Sequence, residues 1–261
     1  MESIILENRN YWTGRAEGYS EVNRKELATD QRNLWFSEIA RRIRMAFPGR
    51  LHQEIRVLEV GTGPGFFAII LAEAGYDVTA VDLTPAMLEQ ARRNAGPLAA
   101  RIDFREMNAE ALDFADESFD VVITRNLTWN LPHPEKAYRE WHRVLASGGL
   151  LLNFDANWYM YLYDDKARKG YEDDRRNTAD GGYTDGNIGE NFDIMEGIAR
   201  RVPLSGVLRP AWDVLVLDSI GFDVHTDELI WQAVWSEEEK VNYASTPQFL
   251  VEAVKRERSD I

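Results

Sequence analysis

One run constrains this chain more than any other: residues 55–75, IRVLEVGTGPGFFAIILAEAG, where a short apolar segment breaks into three closely spaced glycines and resumes as an apolar helix. A strand ending in Gly61, Gly63 and Gly65 lets the backbone turn tightly and approach a ligand with no side chain in the way. The helix that follows points its N-terminal N–H groups at that ligand and stops at Gly75. The pattern then repeats. YDVTAVD ends in Asp82, and Pro85 sits in the first turn of the next helix, where its missing N–H costs nothing. RIDFREM and FDVVIT read as third and fourth strands. HPEKAYREWHRVL reads as an amphipathic helix closed by Ser147, Gly148 and Gly149, and GLLLNFD as a buried fifth strand. Alternating strands and helices imply a parallel sheet covered on both faces.

The flanks are less regular. Residues 1–50 read as a helical N-terminal cap, with Leu34, Trp35, Ile39, Ile43 and Phe47 near one helical face before Pro48 and Gly49. Residues 51–155 form the core, and 156–209 an aromatic, then polar and glycine-rich, then weakly helical insertion of the length expected for a substrate lid. Residues 210–261 complete the sheet with PAWDVLVLDSIG as a helix, FDVHTDELIW as a strand, SEEEKVNYA as a short helix and PQFLVEAVK as the last strand.

Composition removes several function classes. With 44 Asp and Glu against 30 Lys and Arg, the net charge of −14 repels a polyanion, so nucleic acid is an unsuitable partner. No run approaches the roughly 20 apolar residues of a membrane span, and the N-terminus lacks the basic flank and apolar core of a signal peptide, which points to a cytoplasmic protein with no membrane partner. The absence of cysteine excludes disulfides, thiolate metal sites and a Cys nucleophile, and the four histidines are not at helical metal spacing, so no metal is expected.

The second signal in the site is Asp82, 21 residues after Gly61 (82 − 61) at the end of the second strand. A carboxylate there can accept both hydroxyls of a ribose. It can also serve as a cap for the helix that begins after Thr84. A dinucleotide fingerprint needs glycine at its sixth position, where this chain has Phe66, which disfavours NAD. Glu59, two residues before the turn, would oppose a pyrophosphate and suits an ammonium, so a nucleoside cofactor carrying an amino acid fits better.

At these residues the chain resembles the class I S-adenosylmethionine-dependent methyltransferases, nearest the small-molecule type 11 branch with its E-x-G-x-G-x-G pattern, over about Tyr11 to Gly149. The resemblance implies a Rossmann-like α/β fold with a seven-stranded, mostly parallel sheet and an antiparallel last strand. It implies that Gly61, Thr62, Gly63 and Gly65 wrap the methionine part of S-adenosyl-L-methionine, that Glu59 orients the turn and the amino group, and that Asp82 holds the ribose. Leu83 and Met87 would flank the adenine. Asn108 replaces the usual Asp beside the adenine amino group, followed by Ala109 at the adenine edge and by Glu110, which can also be a solvated helix-start residue. Arg125 and Asn126 would sit beside the sulfonium. YWTGRAEGYSEVN resembles the family's arm, with Tyr19 over the cofactor carboxylate and Tyr11 and Trp12 closing the pocket, or else docking the first helix on the core.

Methyl transfer from a sulfonium needs alignment and exclusion of water more than a catalytic triad. Where the acceptor must lose a proton, His133, after the fourth strand, is the candidate base; the alternative is an exposed turn histidine. Trp129, Trp158, Tyr159, Tyr161, Tyr163, Phe192 and Met195 would line the substrate volume if the insertion folds back, an aromatic wall suited to a planar or cationic small molecule. The expected activity is methyl transfer to O, N, S or C of a small metabolite, giving S-adenosyl-L-homocysteine. A nucleotide-dependent oxidoreductase and a non-catalytic cofactor-binding protein stand as alternatives, and the oligomeric state stays open, a homodimer included.

Overall fold

The structure, a computed structural model, describes residues 2–185 and 192–257. Two helices lead the chain, α1 (Glu2–Ala28) and α2 (Gln31–Ala46). Strand β1 (Arg56–Val60), helix α3 (Phe66–Glu73), strand β2 (Asp77–Asp82), helix α4 (Pro85–Ala95) and strand β3 (Ile102–Glu106) follow. Next come β4 (Phe119–Arg125), α5 (Pro134–Val144) and β5 (Leu145–Asp155). After the excursion with α6 (Asp165–Asp180) and α7 (Phe192–Ala199), the chain closes with α8 (Ala211–Ile220), β6 (Phe222–Asp227), α9 (Ile230–Val234), α10 (Glu237–Asn242) and β7 (Phe249–Lys255).

The sheet order is β3-β2-β1-β4-β5-β7-β6. Strand β7 pairs antiparallel with both β5 and β6, so the other six strands run one way. The order reverses between β1 and β4, and a crevice opens beyond the carboxyl ends of strands at such a switch point. Successive residues explain the double burial: Val57 packs with Trp35, Phe67 and Phe154 on one face, while Leu58 packs with Tyr138, Trp141 and Val144 on the other. Both are fully buried.

Helix α2 buries Trp35, Ile39 and Ile43 at spacings of four, but the expected partner Leu34 lies on its outer side and is exposed. Other elements also differ from the sequence reading. Helix α5 ends at Val144 because Leu145 already adopts extended backbone and pairs with Phe119, so Ser147 to Gly149 lie inside β5. The polar run 165–180 is a helix, capped by Asp164 accepting the Ala167 N–H. Its inner side mixes Ala167 and Tyr171, packed on the aromatic cluster, with polar contacts, the Asp174 carboxylate accepting the N–H and hydroxyl of Ser245, so no long apolar stripe announces it. Strand β6 stops at Asp227, and Ile230 onward is helical. No helix among the described residues is long and apolar enough to cross a membrane.

Helix α1 spans about 40 Å at 1.5 Å per residue and lies across the mouth of the crevice. It is fastened along its length: the Asn8 amide donates to the Asn130 carbonyl, Arg9 pairs with Glu106, Ser20 bonds Asn94, and Glu26 grips Arg125.

Candidate active site

The glycine turn is built on β1 and tied to β2. The Gly61 and Thr62 N–H groups both donate to the Val81 carbonyl, at 2.8 and 2.9 Å. Gly61 has a positive φ of 69°, and a side chain there would meet Leu127 at 2.8 Å; at Gly65, φ 91°, a Cβ would meet Ala91 at 3.0 Å. The left-handed backbone at both positions favours glycine, and at Gly65 the Ala91 backbone adds a tight approach.

Glu59 is buried under this turn. Its carboxylate accepts the Thr62 hydroxyl at 2.6 Å and the Ala68 N–H at 2.8 Å, joining the loop to the first turn of α3. Burial pushes its pKa up to about 7, against the pull of those two bonds. Asp82 holds the other side of the loop, with one oxygen accepting the Gly63 N–H at 2.9 Å and the other the Thr84 N–H at 2.8 Å. The bond to Thr84 shows that helix support and a ligand-facing position coexist, because each oxygen keeps acceptor capacity. Burial raises the Asp82 pKa.

A cavity that opens to solvent lies over these groups. Glu59, Gly61, Thr62, Gly63 and Asp82 line one part of it, Leu83 and Met87 the next, and Asn108, Ala109 and Glu110 the facing wall. Gly65 lies outside the lining and serves the packing of α4. The Asn108 side-chain oxygen accepts the Glu110 N–H at 2.9 Å, which shapes this wall.

Three residues take positions other than those expected. Glu110 is buried, not solvated, and its carboxylate accepts the His133 N–H at 2.8 Å and meets His133 Nδ1 at 3.0 Å. His133 lines neither this cavity nor the one described next, and the contact it shows here is with Glu110. The Arg125 guanidinium lines the cavity but is occupied by Glu26 at 2.7 and 2.9 Å and lies within 5.3 Å of the Trp35, Phe66 and Phe67 rings. Burial works against its charge and Glu26 more than offsets this, so the group stays protonated as a latch for α1.

A second cavity shares Trp12, Tyr19 and Asn126 with the first, and its remaining wall is Trp129, Trp158, Tyr159, Tyr161 and Tyr243. Trp129 and Tyr159 are 4.8 Å apart, and Trp158 meets Tyr243 edge to face at 5.4 Å. Burial raises the Tyr159 and Tyr161 pKa values, and that of Tyr243 to about 12, so these phenols are hydrogen-bond donors at neutral pH. Asn126 stands at the junction in a left-handed conformation, φ 57°, held by its N–H on the Phe154 carbonyl and its side chain on Gln248.

Of the expected substrate residues, Trp129, Trp158, Tyr159 and Tyr161 meet here. Tyr163 does not: it is half exposed and packs on Gly206. Met195 is buried in the cluster behind Tyr161, not on the cavity wall. Tyr11 meets Trp12 edge to face at 5.2 Å and lines neither cavity. The side chain of Phe192 lies outside the described residues. The sequence reading missed Asn8, Asn23, Asn130 and Tyr243. Asn8, Trp12, Tyr19 and Asn23 form one stripe of α1 at spacings of four, seven and four, a pattern that was present but dominated by polar residues; Tyr243 carried no signal.

The sheet order, the glycine turn beyond β1 and the carboxylate beyond β2 define a Rossmann-like fold of the kind that class I methyltransferases share. Residues 58–153 match the family model of a methyltransferase domain, type 11. An uncharacterized protein of Mycobacterium tuberculosis is 35% identical over 97 residues, 37% of this chain and 35% of that protein. The demethylmenaquinone methyltransferase of Thermus thermophilus is 40% identical over 99 residues, 37% of this chain and 45% of the enzyme. The match thus spans less than half the length of these curated relatives. In fold, the chain is similar to the Haemonchus contortus phosphoethanolamine N-methyltransferase 2 bound to phosphomonomethylethanolamine and S-adenosylhomocysteine, with TM-score 0.56 and 17% identity over 85% of this chain and 53% of that one.

The residues of the first cavity fit S-adenosylmethionine. Asp82 offers unfilled acceptor capacity to a ribose, apolar Leu83 and Met87 offer a slot for a base, and the turn leaves no side chain in the way.

Proposed function

We propose that this protein transfers the methyl group of S-adenosylmethionine to a small organic acceptor held in the aromatic cavity. The observation that supports this reading most is the pair of cavities meeting at Trp12, Tyr19 and Asn126, a cofactor cradle opening into an aromatic chamber. When bound, the cofactor supplies an activated methyl group. The chain's own part is to hold the ribose through Asp82, fix the turn through Glu59, exclude water under α1, and align the acceptor against the Asn126 junction. We assign residues 156–209 the role of substrate lid over a core of 51–155. The reading extends to a cytoplasmic location, consistent with an acidic, cysteine-free composition.

No carboxylate, histidine, lysine or arginine lines the chamber among the described residues. Transfer by proximity, without a dedicated base at the methyl, follows from that wall. A flat quinol is a second acceptor to test, because the Thermus relative acts on demethylmenaquinone and the wall is aromatic. The test is incubation with radiolabelled cofactor and a fractionated metabolite extract, with calorimetry of S-adenosylhomocysteine and NAD alongside. Binding of S-adenosylhomocysteine with label passing to a small-molecule fraction is expected. Binding of NAD in its place would support an oxidoreductase, and cofactor binding with no transfer to any fraction a non-catalytic binder.

A further inference from the structure

The chamber wall is neutral, but the groups behind it are not. Asp155, at the end of β5, is fully buried and divides its two oxygens among four donors. One oxygen accepts the Ala156 N–H at 2.9 Å and the Trp158 indole N–H at 3.2 Å; the other accepts the Trp129 N–H at 3.0 Å and pairs with Arg209. Arg209 is shared, because the buried Asp213 takes its other nitrogens at 2.7 to 3.1 Å. Two carboxylates thus face one guanidinium directly behind the two tryptophans.

The opposite side repeats the imbalance. Arg125 faces two carboxylates, Glu26, which it pairs with, and Glu239, which accepts hydrogen bonds from Ser236 and Gln31; Arg125 opposes both at Tyr19, and Arg175 opposes Glu239 at Tyr243. On a third side the Tyr161 hydroxyl donates to Glu196 at 2.8 Å, whose cationic neighbour Arg200 is exposed and 3.7 Å away. Arg175, near Tyr171, is paired with Asp185. The chamber is therefore a set of electron-rich ring faces backed by more negative than positive charge. An indole or phenol that donates to a carboxylate presents a more negative face, which strengthens cation–π attraction. Burial raises the pKa of Asp155 and Glu239, and a cation in the chamber relieves that cost.

Resting on the methyltransferase reading, we propose that the chamber takes an amine acceptor and releases it as a more highly methylated ammonium compound. The neutral amine nitrogen donates its lone pair to the methyl carbon, the carbon–sulfur bond breaks, and its electron pair stays on sulfur. The positive charge moves from sulfur to nitrogen, into the cage. A tertiary amine needs no base, and a primary or secondary amine enters after giving its proton to water. A phenolate or quinol gains nothing from the surplus negative charge, which opposes any anion formed along its path.

The excess charge could instead serve only the sulfonium, so the test uses the uncharged product form. The full-length protein is saturated with S-adenosylhomocysteine and titrated, by tryptophan fluorescence and calorimetry, with choline, with its neutral isostere 3,3-dimethylbutan-1-ol, and with hydroquinone. Choline is expected to bind at least tenfold more tightly than the isostere and more tightly than hydroquinone. Glu196→Gln, at a partly exposed position that should fold normally, is expected to weaken choline several-fold and leave the isostere unchanged. Asp155→Asn, where it folds, is expected to do the same. Equal binding of choline and isostere, no binding of choline, or a preference for hydroquinone overturns the proposal while leaving the cofactor assignment intact. Failure of S-adenosylhomocysteine to bind instead removes the reading beneath it.

Discussion

Replacing Asp82 by Ala isolates the carboxylate on which the cofactor assignment depends. In the structure it makes two bonds within the protein, to the Gly63 and Thr84 N–H groups, and has capacity for a ribose. A hydrogen bond to a charged group contributes about 1.5 to 3 kcal/mol. Water can re-solvate part of an open cradle, so the expected loss of S-adenosylhomocysteine affinity is about 1 to 3 kcal/mol, or roughly 5- to 150-fold in Kd. Two backbone N–H groups also lose their partner, and a stability loss of about 1 kcal/mol should lower Tm by about 2 to 4 °C for a chain of this size. Loosening of the turn could mimic loss of the ribose contact, and a ligand-side deletion separates the two. Calorimetry with S-adenosylhomocysteine and its 2′-deoxy analogue, on native and Asp82→Ala protein, closes a double-mutant cycle. The hydroxyl deletion should weaken binding to the native protein and change little in the variant. Additive effects, or unchanged affinity in a folded Asp82→Ala protein, would refute the ribose assignment.

Glu59 carries a pH signature. Its folded pKa of about 7 lies above the ordinary 4.5, so the folded state holds the proton more tightly and stability declines as pH rises from about 4.5 through about 7. The decline is on the order of 3 kcal/mol; urea denaturation at pH 5 and 8 should show Glu59→Gln with a flatter profile than the native chain, and parallel profiles would contradict it. Glu26→Ala leaves the buried Arg125 without its carboxylate and should destabilise by about 3 to 5 kcal/mol, read by chemical denaturation; a loss under 1 kcal/mol would show that α1 is not latched there. His133→Ala should shift cofactor affinity through Glu110 and leave the maximal transfer rate within about twofold; a rate collapse at unchanged affinity would restore it as a base. Trp12→Ala should speed S-adenosylhomocysteine release several-fold in stopped-flow, because its ring borders both cavities.

The sequence alone determined the sheet and the glycine turn with Asp82 beside it. Both depend on neighbours in the chain: apolar runs of strand length, a turn whose left-handed backbone favours glycine, and Asp82 placed by the length of one helix and one strand. Glu59 was legible as a residue, but its work inside the turn was not, since its partners Thr62 and Ala68 become neighbours only when the loop closes. The acceptor chamber was half legible. Trp158, Tyr159 and Tyr161 announced an aromatic wall, yet Tyr243 reaches it from a loop more than eighty residues away, and Tyr163 and Met195 turn elsewhere. Helix α6 was illegible because its inner side holds only Ala167 and Tyr171 as apolar residues and is otherwise buried through Asp174 and Thr178. Only the tertiary structure decided the charges. Whether His133 faces a methyl or Glu110, whether Arg125 is open or latched, and which carboxylates back Trp158 and Tyr161 depend on long-range pairing. Local pattern fixes which way a backbone runs, whereas the energy of a charge is set by whatever distant segment packs against it.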